Sequence, residues 1–224
     1  MKQHESVPLM DYREYPPAEM QARIDSFHND LIRRHTVRNF SNRPVDRAII
    51  ERAIMTAGSA PSGANHQPWH FCAIGSAEAK SILRSNAEKE ERAFYAGKAG
   101  EEWLDALKPL GTDENKPYLD IAPWIIAVFG QRRGGVSTAE QRKNYYLPES
   151  CGIAMGFLIA SLHQAGLAML THTPKPMDFL NTLCDRPATE KPYLLLVVGY
   201  PADDATIPLH ATRKKSLEEI ASFI

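Results

Sequence analysis

Between residues 45 and 57 the apolar side chains Ile49, Ile50, Ala53, Ile54 and Ala57 recur at the helical period, and Pro44 stands where a helix can begin. A helix is predicted there. Another is predicted over 18–34, after a polar leader that carries Pro8, Pro16 and Pro17. Residues 69–74 suit a strand, and 76–108 a mostly helical excursion dense in charge and small residues. The run 124–129 is apolar throughout and too short for a helix of the usual length, so it predicts a buried strand. A loop rich in Gly and Arg, 130–135, follows it. Residues 149–164 are apolar nearly all round a helix, with Gly152 and Gly156 allowing close packing, so this helix should be buried in a core or a subunit interface. Strands at 168–172 and 193–198 and a terminal helix from Ser216 complete an α+β pattern. There are no repeats, low-complexity tracts or internal boundaries, which predicts one domain over 1–224.

Composition narrows the class. The chain has 224 residues, 43% hydrophobic and 24% charged, enough for a substantial core without staples. The formal net charge is −1, with neither a basic stripe nor an acidic tail, so a nucleic-acid partner has no electrostatic footprint. Cys72, Cys151 and Cys184 lack paired spacing and sit in apolar contexts, which reads as buried reduced thiols rather than a disulfide or metal framework. Residues 1–16 lack the apolar core of a signal peptide, and the apolar stretch 151–162 is too short to span a bilayer. A cytoplasmic protein without a membrane anchor is the expectation.

Three short stretches carry candidate chemistry. Arg34 and Arg38 lie four apart, so a helix or turn could turn both guanidiniums toward one anion; alternatively they complement the dipole at the end of the preceding helix. Pro61, Ser62 and Gly63 form a turn where a backbone could approach a flat ligand, or simply a turn. Thr171 and Thr173 offer two hydroxyls where a strand should end in a loop. Further along, Glu91 and Tyr95 share a helical face, and Lys116 follows. The plain alternative makes Glu91 part of the solvated face Glu88-Lys89-Glu90-Glu91-Arg92.

With these residues in view, the chain resembles the FMN-dependent nitroreductase superfamily from about residue 32 to the C-terminus, and within it the iodotyrosine deiodinases. The general likeness rests on Arg33-Arg34-His35-Thr36-Val37-Arg38, on Ala60-Pro61-Ser62-Gly63 followed by Pro68-Trp69-His70-Phe71, and on Thr171-His172-Thr173-Pro174. Val197-Val198-Gly199-Tyr200-Pro201 and Arg213-Lys214-Lys215-Ser216-Leu217 complete it. The closer likeness rests on Glu91, Tyr95 and Lys116. It implies a nitroreductase-like fold, a mixed β-sheet surrounded by helices in an intertwined homodimer, with a lid over about residues 86–118. By the same resemblance FMN would be held by Arg34, His35, Thr36, Val37, Arg38, Pro61, Ser62, Gly63, Thr171, His172 and Thr173, and by a C-terminal cation, Arg213 or Lys214. A halotyrosine would lie against the flavin with its phenolate on the backbone N–H of Ala64 and its zwitterion under Glu91, Tyr95 and Lys116.

The activity so implied is reductive dehalogenation of halotyrosines, iodotyrosine to tyrosine plus iodide, by reduced flavin in one-electron steps. Thr173, hydrogen-bonded to flavin N5, is the residue expected to tune that chemistry. A general NAD(P)H-dependent nitro or quinone reductase is the alternative, and a flavin-binding protein without turnover is a third reading. No dinucleotide fingerprint identifies the electron donor, which leaves NAD(P)H or a partner reductase.

Competing motifs are weaker. Gly130-Gln131-Arg132-Arg133-Gly134-Gly135-Val136-Ser137 nearly matches a nucleotide-binding loop, but Val136 replaces the lysine that would reach the phosphates. His66 and His70 flank Pro68 and cannot form a helical zinc pair. No Gly-x-Ser-x-Gly elbow is present.

Overall fold

The computed structural model describes residues 5–134 and 142–224. By its internal contacts the chain divides into two compact units, Met1–Arg33 and Arg34–Ile224. In the first, helix α1 (Pro17–Leu31) begins with Pro17 in its first turn, where the missing N–H costs nothing, and Arg23 stacks over Tyr15. It stops at Leu31, short of residue 34.

The second unit is built on a four-stranded sheet of β1 (Trp69–Ile74), β2 (Trp124–Gln131), β3 (Ala168–His172) and β4 (Glu190–Gly199), in the order β1-β2-β4-β3. Every pairing within it is antiparallel, so the expected mixed sheet is corrected to an antiparallel one. What parallel pairing there is amounts to an isolated bridge: Thr36 pairs with Met169 on the outer side of β3, and the Val37 N–H donates to the Met169 carbonyl at 3.2 Å.

Alternation along the central strands sends side chains to both faces, and both faces are covered. Ile125, Ala127 and Phe129 of β2 and Leu195 and Val197 of β4 pack with Leu83 and Ala87 of α3 (Ala77–Ala93) and with Tyr118 and Leu119 of α5 (Tyr118–Ile121). Ile126, Leu196 and Val198 pack the opposite way, on Ile50, Ala53 and Ala57 of α2 (Arg47–Gly58) and Leu158 and Leu162 of α6 (Leu147–Gln164). Covered faces explain why β2 is apolar without alternation. Gly130 is required by close approach, since a Cβ there would meet Tyr193 Cε2 at 2.3 Å. Gly130 and Gln131 therefore belong to β2 rather than to the expected loop, while Val136 and Ser137 of the nucleotide-loop motif lie outside the described residues.

Caps set the helix starts. Asp46 accepts from the Ala48 N–H at 2.9 Å to open α2, and Ser76 from the Ala79 N–H at 3.2 Å to open α3. The excursion after β1 is broken: α3 gives way to a π-helical turn at Phe94–Lys98, where Gly97 takes φ +139°, and then to α4 (Glu101–Leu107). Helix α6 starts at Leu147 because Pro148 fits its first turn. It buries Cys151, Ala154, Leu158 and Leu162 yet leaves Ile153 and Phe157 about 40% exposed, so it is not buried all round. Short helices α7 (Phe179–Leu183) and α8 (Leu217–Ile220) finish the chain, the latter capped by Ser216. The expectation of three buried thiols holds for Cys151 alone: Cys72 and Cys184 are half-buried and hydrogen-bonded to each other. No helix among the described residues is long and apolar enough to cross a membrane.

Candidate functional site

The bridge at Thr36 runs the basic segment along the outer edge of β3, so Arg38 and the end of that strand open on the same cavity. This cavity has a volume of about 420 Å3. Arg38, Thr171, His172 and Thr173 line it from the sheet side, and Glu91, Tyr95 and Lys116 from the helical excursion. Seven candidates spread over the sequence thus converge. A second cavity of about 510 Å3 shares Arg38, Thr112 and Tyr118 with the first.

Glu91 ends the buried side of α3, and Tyr95 sits one turn on in the π-helical segment. The Glu91 carboxylate faces Lys116 Nζ at 3.3 Å, with side chains only 14% and 3% exposed. This rules out the solvated-face alternative for Glu91. Burial raises its pKa, and the charge of Lys116 works against that rise. Lys116 is held by the Thr112 hydroxyl at 3.2 Å and by the Asp113 carbonyl, and its backbone N–H donates to Glu88 at 2.8 Å. Tyr95 donates its hydroxyl to the Thr112 carbonyl at 3.1 Å, and burial raises its pKa too. The segment at Thr112 is therefore the anchor for both donors. A buried carboxylate and a buried ammonium side by side, beneath a phenol, form a bipolar patch that can exchange its internal partners for those of a zwitterion.

At the end of β3, Thr171 and the following Thr173 are exposed, while His172 between them is 7% exposed. Its Nε2 stands 3.9 Å from Glu91, and Tyr118 meets its ring edge-on at 6.0 Å. The His172 side chain thus faces Glu91 across the site. His35 has a buried Nδ1 with no hydrogen-bond partner, a polar atom directed at nothing the described chain supplies.

Ten candidates do not line this cavity. Arg34 and His35 lie just before the β3 bridge, and Thr36 and Val37 make it. Pro61, Ser62, Gly63 and Ala64 lie at the α6 end, where the Gly63 N–H donates to Ser150 at 3.3 Å and Ser62 Oγ accepts from the Gln67 N–H at 2.9 Å. Ala64 takes φ +50° in the left-handed region, an uncommon conformation for alanine and one that is often stored at functional sites. Arg213 and Lys214 follow a 3-10 turn and are exposed, Lys214 reaching the Ala211 carbonyl at 3.4 Å.

Sequence reasoning missed Phe94, Trp103, Leu107 and Tyr118, which give the cavity an apolar wall. Phe94 stands edge-on to both Tyr95 and Trp103. Large apolar residues in an otherwise charged excursion were the available signal.

Residues 31–200 match the model of the nitroreductase family. An iodotyrosine deiodinase of Haliscomenobacter hydrossis is 48% identical over 195 residues, covering 87% of this chain and 88% of the relative. The human iodotyrosine deiodinase 1 is 39% identical over 217 residues, covering 96% of this chain and 74% of the relative. A crystal structure of oxidized iodotyrosine deiodinase bound to FMN and 3-iodo-L-tyrosine superposes with a TM-score of 0.72 at 27% identity, covering 88% of this chain and all of the other.

Proposed function

Because the chain belongs to the nitroreductase family, and within it stands with the iodotyrosine deiodinases, we propose that it is a flavin-dependent dehalogenase of halotyrosines. The observation that carries this reading is the Glu91–Lys116 pair with Tyr95, opposite Thr171 and Thr173 in one cavity. A nitroarene or quinone would use neither buried charge, whereas an amino acid uses both.

The residues present fit FMN. Arg34 and Arg38 offer fixed charge for a phosphate, Arg213 or Lys214 a further cation, Thr171 and Thr173 exposed hydroxyls for a flavin ring, and His35 an unpaired buried nitrogen. When bound, reduced FMN supplies the two electrons that, with one proton, convert the carbon–iodine bond to carbon–hydrogen and release iodide. The chain's own contribution is binding and exclusion of water. Glu91 accepts from the substrate ammonium, Lys116 and Tyr95 donate to its carboxylate, and the apolar wall of Phe94, Trp103 and Leu107 covers the aromatic ring. The Thr173 hydroxyl donates at the flavin edge and so biases its redox chemistry. Ala64, in the left-handed backbone conformation, serves the phenolate through its N–H.

Residues 61–64 do not line the lid cavity of their own chain, which favours a site completed by a second copy. The exposed Ile153 and Phe157 on α6, beside the uncrowded Gly152 and Gly156, suit a homodimer contact. NAD(P)H or a partner reductase supplies the electrons.

The test is anaerobic. The protein is purified, its FMN identified by absorbance and reduced chemically, and 3-iodotyrosine is added while flavin reoxidation, tyrosine and iodide are followed. One tyrosine and one iodide per flavin are expected. Reduced flavin that ignores iodotyrosine but is reoxidised by a nitroarene would make the chain a general reductase instead.

A further inference from the structure

His172 is 7% exposed, and its Nε2 has no hydrogen-bond partner among the described residues. A buried ring nitrogen is normally paired, so one left bare points to a partner acquired in another state of the site. Its surroundings identify that partner. The Tyr118 ring stands edge-on at 88° and fixes the imidazole plane. Nε2 faces Glu91 Oε1 at 3.9 Å, roughly an ångström beyond a hydrogen bond, while Glu91 Oε2 faces Lys116. Burial first, and the charge of Lys116 second, lower the His172 pKa to about 3, so the ring stays neutral and carries one N–H. That proton belongs on Nε2, because a bare lone pair there would face a carboxylate oxygen.

In the ligand-free chain Glu91 has a charged donor in Lys116. When an amino acid enters, Lys116 is drawn to the ligand's carboxylate, and Glu91 needs another donor from the protein to keep its carboxylate aimed. We propose that His172 is a positioning residue for ammonium recognition: its Nε2–H closes on Glu91 Oε1 and holds that oxygen while Oε2 accepts from the substrate ammonium. This rests on the zwitterion reading of the lid given above. Because His172 lies between Thr171 and Thr173, the same residue ties the ammonium acceptor to the hydroxyls at the strand end.

The test titrates FMN-loaded protein with 3-iodotyrosine and with 2-iodophenol, which lacks the zwitterion, following flavin fluorescence. Wild type is compared with His172→Ala and with His172→Gln, whose amide can extend an N–H toward the position of imidazole Nε2. Alanine should weaken iodotyrosine binding about tenfold, the worth of one hydrogen bond to a charged group, and glutamine should recover most of it. Binding of 2-iodophenol and of FMN should change less than about twofold in both. Equal losses for both ligands, or an alanine variant that keeps the full preference for iodotyrosine, would overturn the assignment. A wild type that does not prefer iodotyrosine would instead sink the zwitterion reading, and the assignment with it. If His172→Ala fails to load FMN, 15N spectra of the wild-type histidines decide. The His172 Nε2–H resonance, identified by its loss in the glutamine variant or its exchange-protected burial, should move downfield with iodotyrosine and not with 2-iodophenol. No movement with either overturns the role.

Discussion

Replacing Glu91 by glutamine keeps the shape of the lid and removes one charge. In the ligand-free chain that charge sits 3.3 Å from Lys116 Nζ, with both side chains nearly buried. Losing a charge-assisted contact to the substrate ammonium costs about 1.5–3 kcal/mol of binding. Part is returned: in the variant Lys116 waits with only the Thr112 hydroxyl and the Asp113 carbonyl for acceptors, and the ligand's carboxylate relieves it. At the screening of a partly buried pair that relief is worth about 1 kcal/mol. The net is about 0.5–2 kcal/mol, a roughly 2- to 30-fold rise in Kd for 3-iodotyrosine and almost none for 2-iodophenol. Titration of the FMN-loaded protein by fluorescence reads both. There is also a pH signature. Burial holds the Glu91 pKa above the ordinary 4.5, so wild-type affinity should fall on acidification earlier than an exposed glutamate would allow, and Glu91→Gln should lack that limb. Parallel losses for both ligands, or unchanged affinity for iodotyrosine, would refute the assignment of Glu91 to the ammonium.

Thr173→Ala should lower the yield of one-electron-reduced flavin during anaerobic reduction about fivefold, the worth of one neutral hydrogen bond, and an unchanged yield would remove Thr173 from that role. The thiols should not alkylate alike. The hydrogen bond from Cys184 lowers the Cys72 pKa to about 7, while burial lifts Cys151 to about 12, so mass spectrometry after brief iodoacetamide treatment at neutral pH should find Cys72 labelled well before Cys151. His172, with a folded pKa of about 3 against an ordinary 6.5, contributes stability that is intact above pH 6.5 and is lost as pH falls toward 3. Denaturant titrations should show that loss at up to about 1.4 kcal/mol per pH unit, and a shallower slope in His172→Gln. Equal slopes would mean that the ring is not buried neutral.

The strands β1 and β3 could be bounded from the sequence to the residue: Pro68 and Gly75 flank β1, and β3 lies between Gly166-Leu167 and Thr173-Pro174. β4 could not. Its first residues include Lys191 and Pro192, which look like a loop, but Pro192 stands opposite Phe129 at the irregularity in the β2–β4 register, where its missing N–H is tolerated. The antiparallel sense of the sheet was likewise hidden, since pairing direction depends on which strands the helices carry together. At the site, Glu91, Tyr95 and Lys116 were legible as a pattern of charges. Their burial was not, because the same acidic run serves equally well on a solvated helix. His172 lay in plain view between two threonines, yet a histidine takes its meaning from what faces it, here a glutamate 81 positions earlier in the chain. Residues 61–64 were legible as a turn, but their distance from the lid cavity is a property of the folded chain alone.

The Glu91–Lys116 pair behaves as a two-input gate. Each member is already balanced by the other, so a ligand must bring both charges to open the pair without loss. Iodotyramine would satisfy Glu91 and strand Lys116; an iodinated hydroxyphenylpropionate would do the reverse. Either leaves a buried charge without its counterpart, a heavier penalty than the contact forgone. Discrimination against half-matched molecules is therefore written into the resting state, before any substrate has arrived.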